Sequence, residues 1–532
     1  MTAKNVVYAA EARRRLMAGA NMLADAVEIT LGPKGRNVLL TRSFERGIRV
    51  TRDGVTVAKE IEPEGKFENM GARLLRVVAM KTGDEAGDGT TTATALGRAI
   101  AVEGMKAVAA GMNPIDLQRG VDRAVEAVTL WLSQQARPVK GEQDIAQIAR
   151  VSSNDDAEIG ETLGPLLTKL GKDGLLTIEH GKTAKTAIDY VEGMKFDRGY
   201  LSPYFVTDRQ KMRCELEDVF VLLHEQKITA LRSFVPLLEQ VVRAKRPLLV
   251  LAEEIEAAPL AALVANNVRR ALRCVAVKTP GFGDRRKHIL KDLAVLTGGE
   301  VISSELGLKL ENTTLKMLGR AKKIRAEHDS TMIIGGGGSK AAIAARCEEL
   351  RKEIAETTAT YDKEKLQQRL AHLASGIAVI RVGGATETEV KEKKQRYDDA
   401  FNATRAAMEE GVVAGGGVAL LHARRALNGL KGLNADQDAG IAIVRRALEA
   451  PARRILANAG ENAPYVVSRI DDGPGPNYGY DVIGRRYGDM MALGIVDPLK
   501  VVRRALEDGA SVAGRLVTTE AMISEVPQPK KP

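Results

Sequence analysis

Between two glycines, Gly87 and Gly89, sits a single aspartate, Asp88, followed by Thr90, Thr91, Thr92, Ala93 and Thr94. A helical pattern follows in Ala95, Leu96, Ala99 and Ile100. Residues of these types in this order aim hydroxyls, backbone N–H groups and the positive end of a helix dipole at one point, which suits a phosphate. The aspartate could hold the Mg²⁺ that accompanies a nucleotide, because hard oxygen ligands suit that ion. The competing reading is a plain N-cap. A cap needs only one residue, however, and three consecutive threonines lower helix propensity.

Other segments could meet a ligand. Thr30-Leu31-Gly32-Pro33-Lys34-Gly35-Arg36 ends a helix in a glycine-rich turn able to approach a ligand closely, and reads equally well as a C-terminal cap. Asp53-Gly54 reads as an Asx-type turn whose carboxylate could orient or deprotonate water attacking a γ-phosphate. Gly415-Gly416-Gly417 opens a helical segment, Val418 to Leu427. None of these matches G-x-x-x-x-G-K-[ST], so an ordinary P-loop is absent. Gly281-Phe282-Gly283 lacks the third glycine of a dinucleotide fingerprint and reads as a loop.

The elements that must position these groups fall into two kinds. The first 135 residues read as helices with one strand–turn–strand, Asn37 to Thr56, around Glu45-Arg46-Gly47. Asn113-Pro114 starts a helix with its apolar stripe at Leu117, Val121, Ala124, Val128 and Leu132. Phe67, Met70, Leu74 and Val78 mark another. In the middle, short β-type runs (Asp173 to Glu179, Leu248 to Ala252, Cys274 to Val277, Met332 to Ile334) alternate with helical stretches such as Phe234 to Arg243 and Leu260 to Leu272. That alternation is an α/β region. Four glycines, Gly335 to Gly338, precede two charged helices, Lys340 to Glu356 and Asp362 to Ala374, spaced as a helical hairpin. After Gly383-Gly384 alanine-rich helices return, so one domain is inserted into another, with hinges near Gly193 and Gly376.

At 532 residues, 44% hydrophobic and 28% charged, the chain has the composition of a folded multidomain protein. Three dispersed cysteines argue against a disulfide framework, and six scattered histidines build no zinc motif. No targeting segment or membrane-length apolar run is visible, so a cytoplasmic address is expected. The net charge of +10 raises nucleic-acid binding, but most of the excess lies in arginine doublets interleaved with acids, without stacking aromatics. Solvated faces and subunit contacts are the expected use.

Over nearly its whole length the chain resembles a group I chaperonin of the bacterial GroEL type. The resemblance rests on Thr30 to Asn37, Phe67 to Gly71, Ala86 to Thr94, Ala107 to Pro114, Val191 to Met194, Phe196 to Phe205, Pro280 to Lys287, Glu410 to Ala419 and Asn477 to Tyr480, in the family's order. It implies a multidomain α and α/β fold: a helical equatorial ATP-binding domain (1–134 and 411–532), an intermediate hinge domain (135–191 and 377–410) and an α/β apical domain (192–376). It implies an ATPase that encloses unfolded client proteins in a ring cavity, with ATP and Mg²⁺ as cofactors and K⁺ as a further cation the family allows. Partners implied are clients, a small co-chaperonin and a homo-oligomer of seven-membered rings. By the resemblance Asp88 coordinates Mg²⁺; Gly89, Thr90, Thr91 and Thr92 hold phosphates; Thr30, Leu31, Gly32, Pro33 and Arg52 line the nucleotide; and Gly416, Asp481, Val482, Ile483 and Asp497 surround base and ribose. Asp53 and Asp399 correspond to carboxylates that position attacking water. Tyr200, Tyr204, Phe205, Val235, Leu238, Leu260 and Val264 match an apolar client- and co-chaperonin-binding groove.

The chain departs from the pattern in four ways. Pro527 to Pro532 lacks the family's Gly/Met-rich tail; Ala435 and Asn462 stand where acids make ring–ring contacts; Ser375 replaces one glycine of a hinge pair; and the net charge is basic where the family is usually acidic. These differences leave ring pairing open and suggest a divergent copy, whose alternative role would be a non-folding one such as nucleic-acid association.

Overall fold

The computed structural model describes residues 4–41, 48–153, 156–171, 175–181, 183–209, 211–357, 360–374 and 376–525. The hairpin tip at Glu45 to Gly47, Asp173-Gly174, Ser375 and Pro527 to Pro532 lie outside the described residues. The chain divides into two compact units, Met1–Lys172 with Glu387–Pro532, and Asp173–Thr386.

The first unit opens with strand β1 (Lys4–Tyr8), helix α1 (Ala9–Glu28), the hairpin β2 (Val38–Thr41) and β3 (Ile48–Thr51), and the short helix α2 (Gly54–Glu60). Helices α3 (Lys66–Ala86), α4 (Thr90–Ala109), α5 (Pro114–Gln135), α6 (Gly141–Ser152) and α7 (Ala157–Leu170) follow. Helix α5 starts where the sequence implies: the Asn113 side chain accepts from the N–H groups of Ile115 (2.9 Å) and Asp116 (3.3 Å). All five residues of its expected stripe are buried. Helix α3 differs by a small rotation. Phe67 and Val78 are buried, but Gly71, Leu75 and Ala79 take the interior in place of Met70 and Leu74. The reason is a close crossing with α1, where a Cβ on Gly71 would lie 1.8 Å from the Leu16 carbonyl oxygen and one on Gly19 would lie 1.7 Å from that of Glu68. Glycine on both helices lets the backbones touch and fixes which face turns inward.

The second unit contains β4 (Leu175–His180), β5 (Ala187–Val191), β6 (Gly193–Phe196), β7 (Cys214–His224), α8 (Leu231–Ala244), β8 (Leu248–Ala252), α9 (Ala257–Val268), β9 (Cys274–Lys278) and α10 (Gly283–Thr297). It continues with β10 (Val301–Ile302), β11 (Gly319–Ala326), β12 (Thr331–Gly336), α11 (Lys340–Glu356), α12 (Thr360–Ala374) and β13 (Ile377–Val382). A seven-stranded sheet runs β6-β12-β11-β7-β8-β9, with β10 also paired to β7. Strands β7, β8 and β9 are parallel, and every residue of β8 is buried, as expected of a strand covered on both faces. A smaller sheet runs β4-β13-β5. Helix α9 stops four residues short of the expected Leu272, because Arg270 adopts a left-handed φ of 58°. The buried carboxylate of Asp292 on α10 accepts from Arg346 of α11 at 2.9 Å and Arg369 of α12 at 2.8 Å, which ties the charged helices down. Cys214, Cys274 and Cys347 are buried thiols with no disulfide.

The first unit resumes with α13 (Glu387–Glu410), β14 (Val412–Ala414), α14 (Val418–Ala423), α15 (Ala435–Ala447), α16 (Ala450–Asn458) and α17 (Ala463–Asp471). It closes with the hairpin β15 (Tyr478–Asp481) and β16 (Arg486–Asp489), β17 (Val496–Pro498), α18 (Leu499–Thr518) and β18 (Ala521–Glu525), which pairs antiparallel with β1. Its core joins α1, α3, α4, α5, α15 and α18. Most arginine doublets are used in intrachain pairs: Arg424 and Arg453 with Glu449, Arg446 with Glu103, Arg503 with Glu410, and Arg504 with Glu85. Asn462 caps α17 by accepting from the Tyr465 N–H.

Candidate nucleotide and metal site

Helix α3 ends at a turn in which Gly87 (φ 75°) and Gly89 (φ 81°) are both left-handed. A Cβ on Gly87 would stand 2.3 Å from Asn402 Cβ, and one on Gly89 2.6 Å from Val501 Cγ1. Conformation and space therefore both demand glycine on each side of Asp88. The plain-cap reading does not hold. Gly89 occupies the cap position of α4 and no side chain caps that helix, so side chains leave its first-turn N–H groups uncapped. Asp88 instead accepts from the Gly89 N–H at 2.6 Å.

Two more segments press on the same turn. The Asp53 carboxylate caps α2, accepting from the N–H groups of Val55 (3.1 Å) and Thr56 (3.0 Å), as an Asx-type turn should. A Cβ on Gly54 would lie 2.2 Å from Thr91 Oγ1, so the start of α2 abuts the first turn of α4. Thr30 Oγ1 donates to the Val27 carbonyl at 2.7 Å and lies 3.4 Å from Thr91 Oγ1. Arg52 donates to Asn37 Oδ1 at 2.8 Å.

Opposite them, antiparallel pairing of β14 and β17 sets Val413 beside Asp497. Gly416 (φ 67°) and Gly417 (φ 77°) turn the chain into α14. Asp497 accepts from the Gly416 N–H, and its carboxyl is pushed up to about 7, first by withdrawal from water and then by the charge of Asp88. Asp88 is pushed up to about 6 by withdrawal from water, opposed by the Gly89 N–H and reinforced by the charge of Asp53. Asp53, Asp88 and Asp497 thus form a chain of interacting carboxylates, and no Lys or Arg among the described residues acts on either of the two raised ones. Hard oxygen donors with unneutralised charge fit a divalent cation of the Mg²⁺ type.

Several expected residues act differently. Asp481 Oδ1 accepts from the N–H groups of Ile483 (3.0 Å) and Gly484 (2.9 Å), and its other oxygen faces Arg486 at 3.4 Å. Its carboxylate is engaged in building the hairpin turn rather than left open to a ligand. Val482 is buried and Ile483 exposed. The hairpin reaches the Gly416 turn through Met490, whose Cε would lie 3.4 Å from a Cβ there. Asp399 is half-buried on α13, one turn before Asn402, the residue that packs on Gly87.

Sequence reasoning missed the supports of the Thr30–Pro33 turn. Asn458 Nδ2 donates to the carbonyls of Glu28 and Leu31, each at 2.9 Å, and Ile455 packs on Gly32. The buried Glu28 carboxylate lies between Arg98 (3.3 Å) and Arg454 (3.4 Å), its pKa raised by burial against the pull of both arginines. No local signal marks Asn458, because its partners lie more than four hundred residues earlier in the chain.

In the second unit the expected apolar groove is only partly a surface. Tyr204 (69%) and Val235 (38%) are exposed, and Leu260 and Val264 are half-buried. Phe205, Tyr200 and Leu238, by contrast, are buried. This corrects the expectation for those three, which stabilise the core. Adjacent residues of the short turn at Pro203–Phe205 point opposite ways, and the Tyr200 hydroxyl donates to the Met212 carbonyl at 3.2 Å. Val242 and Val268 are further exposed apolar residues on α8 and α9.

Among the described residues no helix is long and apolar enough to cross a membrane. A sequence model described as the TCP-1/cpn60 chaperonin family matches residues 23–527.

Proposed function

The chain belongs to the TCP-1/cpn60 chaperonin family, and from that premise we propose that it is a group I, ATP-driven folding chaperonin whose nucleotide site is built around Asp88. The family supplies the general role of protein folding by ring-forming ATPases that bind unfolded clients. One observation carries the finer reading: three segments distant in sequence, at Thr30, Asp53–Gly54 and Asp88–Thr92, converge on the uncapped start of α4.

In this reading the N–H groups and hydroxyls of Gly89, Thr90, Thr91 and Thr92 hold the phosphates at the positive end of α4. Asp88 holds the Mg²⁺, which on binding neutralises phosphate charge. Thr30, Leu31, Gly32, Pro33 and Arg52 line the nucleotide, and the turn at Gly416 with Val482, Ile483 and Asp497 borders base and ribose. Asp481 contributes by shaping that turn. Asp53, fixed by its bonds to Val55 and Thr56, orients the attacking water. Asp399 joins it from α13, a helix whose movement would couple hydrolysis to domain motion about an intermediate hinge (135–191 and 377–410).

Exposed residues of α8 and α9 take unfolded clients and a co-chaperonin, since burial is non-directional and accepts many sequences. Seven-membered rings in the cytoplasm, with ATP, Mg²⁺ and K⁺, complete the proposal. The nucleic-acid alternative is weakened because most arginine doublets have partners within the chain.

Single-turnover ATP hydrolysis and client refolding with Asp399→Ala test the proposal. Hydrolysis should fall by at least about a hundredfold, the scale of a lost general base, with nucleotide binding retained. Refolding should fall with it; refolding at the normal rate would refute the assignment.

A further inference from the structure

Helix α9, Ala257–Val268, carries no charged residue in twelve positions, yet only Pro259 and Leu263 are buried. Along about 18 Å of helix, at 1.5 Å per residue, it offers an uncharged face to solvent. The two parallel crossovers β7–α8–β8 and β8–α9–β9 share one handedness and put both helices on the same face of the sheet, running the same way. Their C-terminal ends therefore meet at the edge where β8 and β9 begin. There the Leu248 N–H donates to the Arg273 carbonyl at 3.0 Å.

That edge is strongly basic. Arg243, Lys245, Arg269, Arg270 and Arg273 all lie there and all are exposed. Only Arg243 has an acidic neighbour among the described residues, Glu239 at 3.8 Å. One cation per helix would complement the two dipoles; five exceed that need. The opposite end of α9 is preceded by Glu253, Glu254 and Glu256, the first two held by Arg286, Lys227 and Lys278, while the first turn of α8 carries the exposed Arg232. The surface is thus an uncharged strip ending in unneutralised positive charge.

Resting on the client-binding reading above, we propose that this surface selects unfolded protein segments in which an apolar stretch adjoins a cluster of acidic residues. The apolar stretch lies along α9 and Val235, and the acids reach Arg269, Arg270 and Arg273. Charge complementarity of this kind sets partner choice and association rate more than total affinity.

The test uses the full-length protein and three labelled peptides sharing one Leu/Ile/Val-rich stretch and ending in three Glu, three Ser or three Lys. Fluorescence anisotropy at low salt should show the Glu peptide bound about tenfold more tightly than the Ser peptide, with Lys weakest. At about 1 M salt, where screening acts within about 3 Å, the three should agree to within about twofold. The preference should fall in Arg269→Gln/Arg270→Gln, where three cations remain, and be largely lost in Arg269→Glu/Arg270→Glu, with circular dichroism checking that each variant is folded. Equal affinities at low salt, or a preference unchanged in the charge-reversed variant, would overturn the proposal. So would a single-stranded oligonucleotide of equal charge that displaces the Glu peptide more effectively than the unlabelled peptide does. Failure of the client-binding reading looks different: no peptide binds, and Val264→Ser changes nothing.

Discussion

Proton competition at the paired carboxylates gives the sharpest check on the nucleotide site. Asp497 is pushed up to about 7 and Asp88 to about 6, and each is affected by a neighbouring carboxylate. In the proposed site magnesium–nucleotide binding uses both as carboxylates, Asp88 on the cation and Asp497 as an acceptor beside base and ribose, so protons compete with it. At pH 8 both are ionised and the competition is negligible. At pH 6 the first is about 90% protonated and the second half protonated, which weakens magnesium–nucleotide binding about 20-fold relative to pH 8. That corresponds to about 1.8 kcal/mol. The sign follows from raised values: acid holds these groups neutral well above the ordinary carboxylate range, so affinity falls as pH drops through 7 and then 6. In Asp497→Asn only Asp88 remains to titrate, and the same pH change should weaken binding about twofold. Isothermal titration of magnesium-ADP, with magnesium in excess from pH 8 to 6, reads both slopes without interference from hydrolysis. Protonation of the nucleotide is common to the two proteins and cancels in their ratio. Equal slopes, or a flat profile in the unsubstituted protein, would refute the coupled-carboxylate site.

Other substitutions probe the supports. Gly89→Ala forces a Cβ into a left-handed residue, roughly 1–2 kcal/mol of strain, and against Val501 at 2.6 Å; denaturant unfolding should show the loss together with weaker nucleotide binding. Asn458→Ala removes two hydrogen bonds that tie the end of α1 at Glu28 to the following turn at Leu31, and nucleotide Kd should rise about tenfold, in line with roughly 1 kcal/mol per lost bond. Asp292→Ala strands the Arg346 and Arg369 guanidiniums in the second unit, and unfolding should reveal a loss of about 3–5 kcal/mol; a loss below about 1 kcal/mol would mean the carboxylate does not bridge the helices.

What was legible in the sequence was local. Asn113-Pro114 announced α5 and Asp53-Gly54 announced an Asx turn, because caps and turns act within a few residues. The β–α alternation of the second unit was legible for the same reason, through periodicity and run length. The motifs also carried the family. The inward face of α3 was not legible, since the close crossing at Gly19 and Gly71, not the apolar pattern, turned Leu75 inside in place of Leu74. Tyr204 and Phe205 are adjacent aromatics, and only packing decided that one is exposed and the other buried. Asn458, Ile455 and Asn402 hold the turns of the candidate site from remote helices, and nothing in their own neighbourhoods says so. The raised carboxyls of Asp88 and Asp497 belong to the same class. A pKa of about 6 or 7 comes from lost water and a neighbouring charge, and both exist only once distant strands and helices have closed around them.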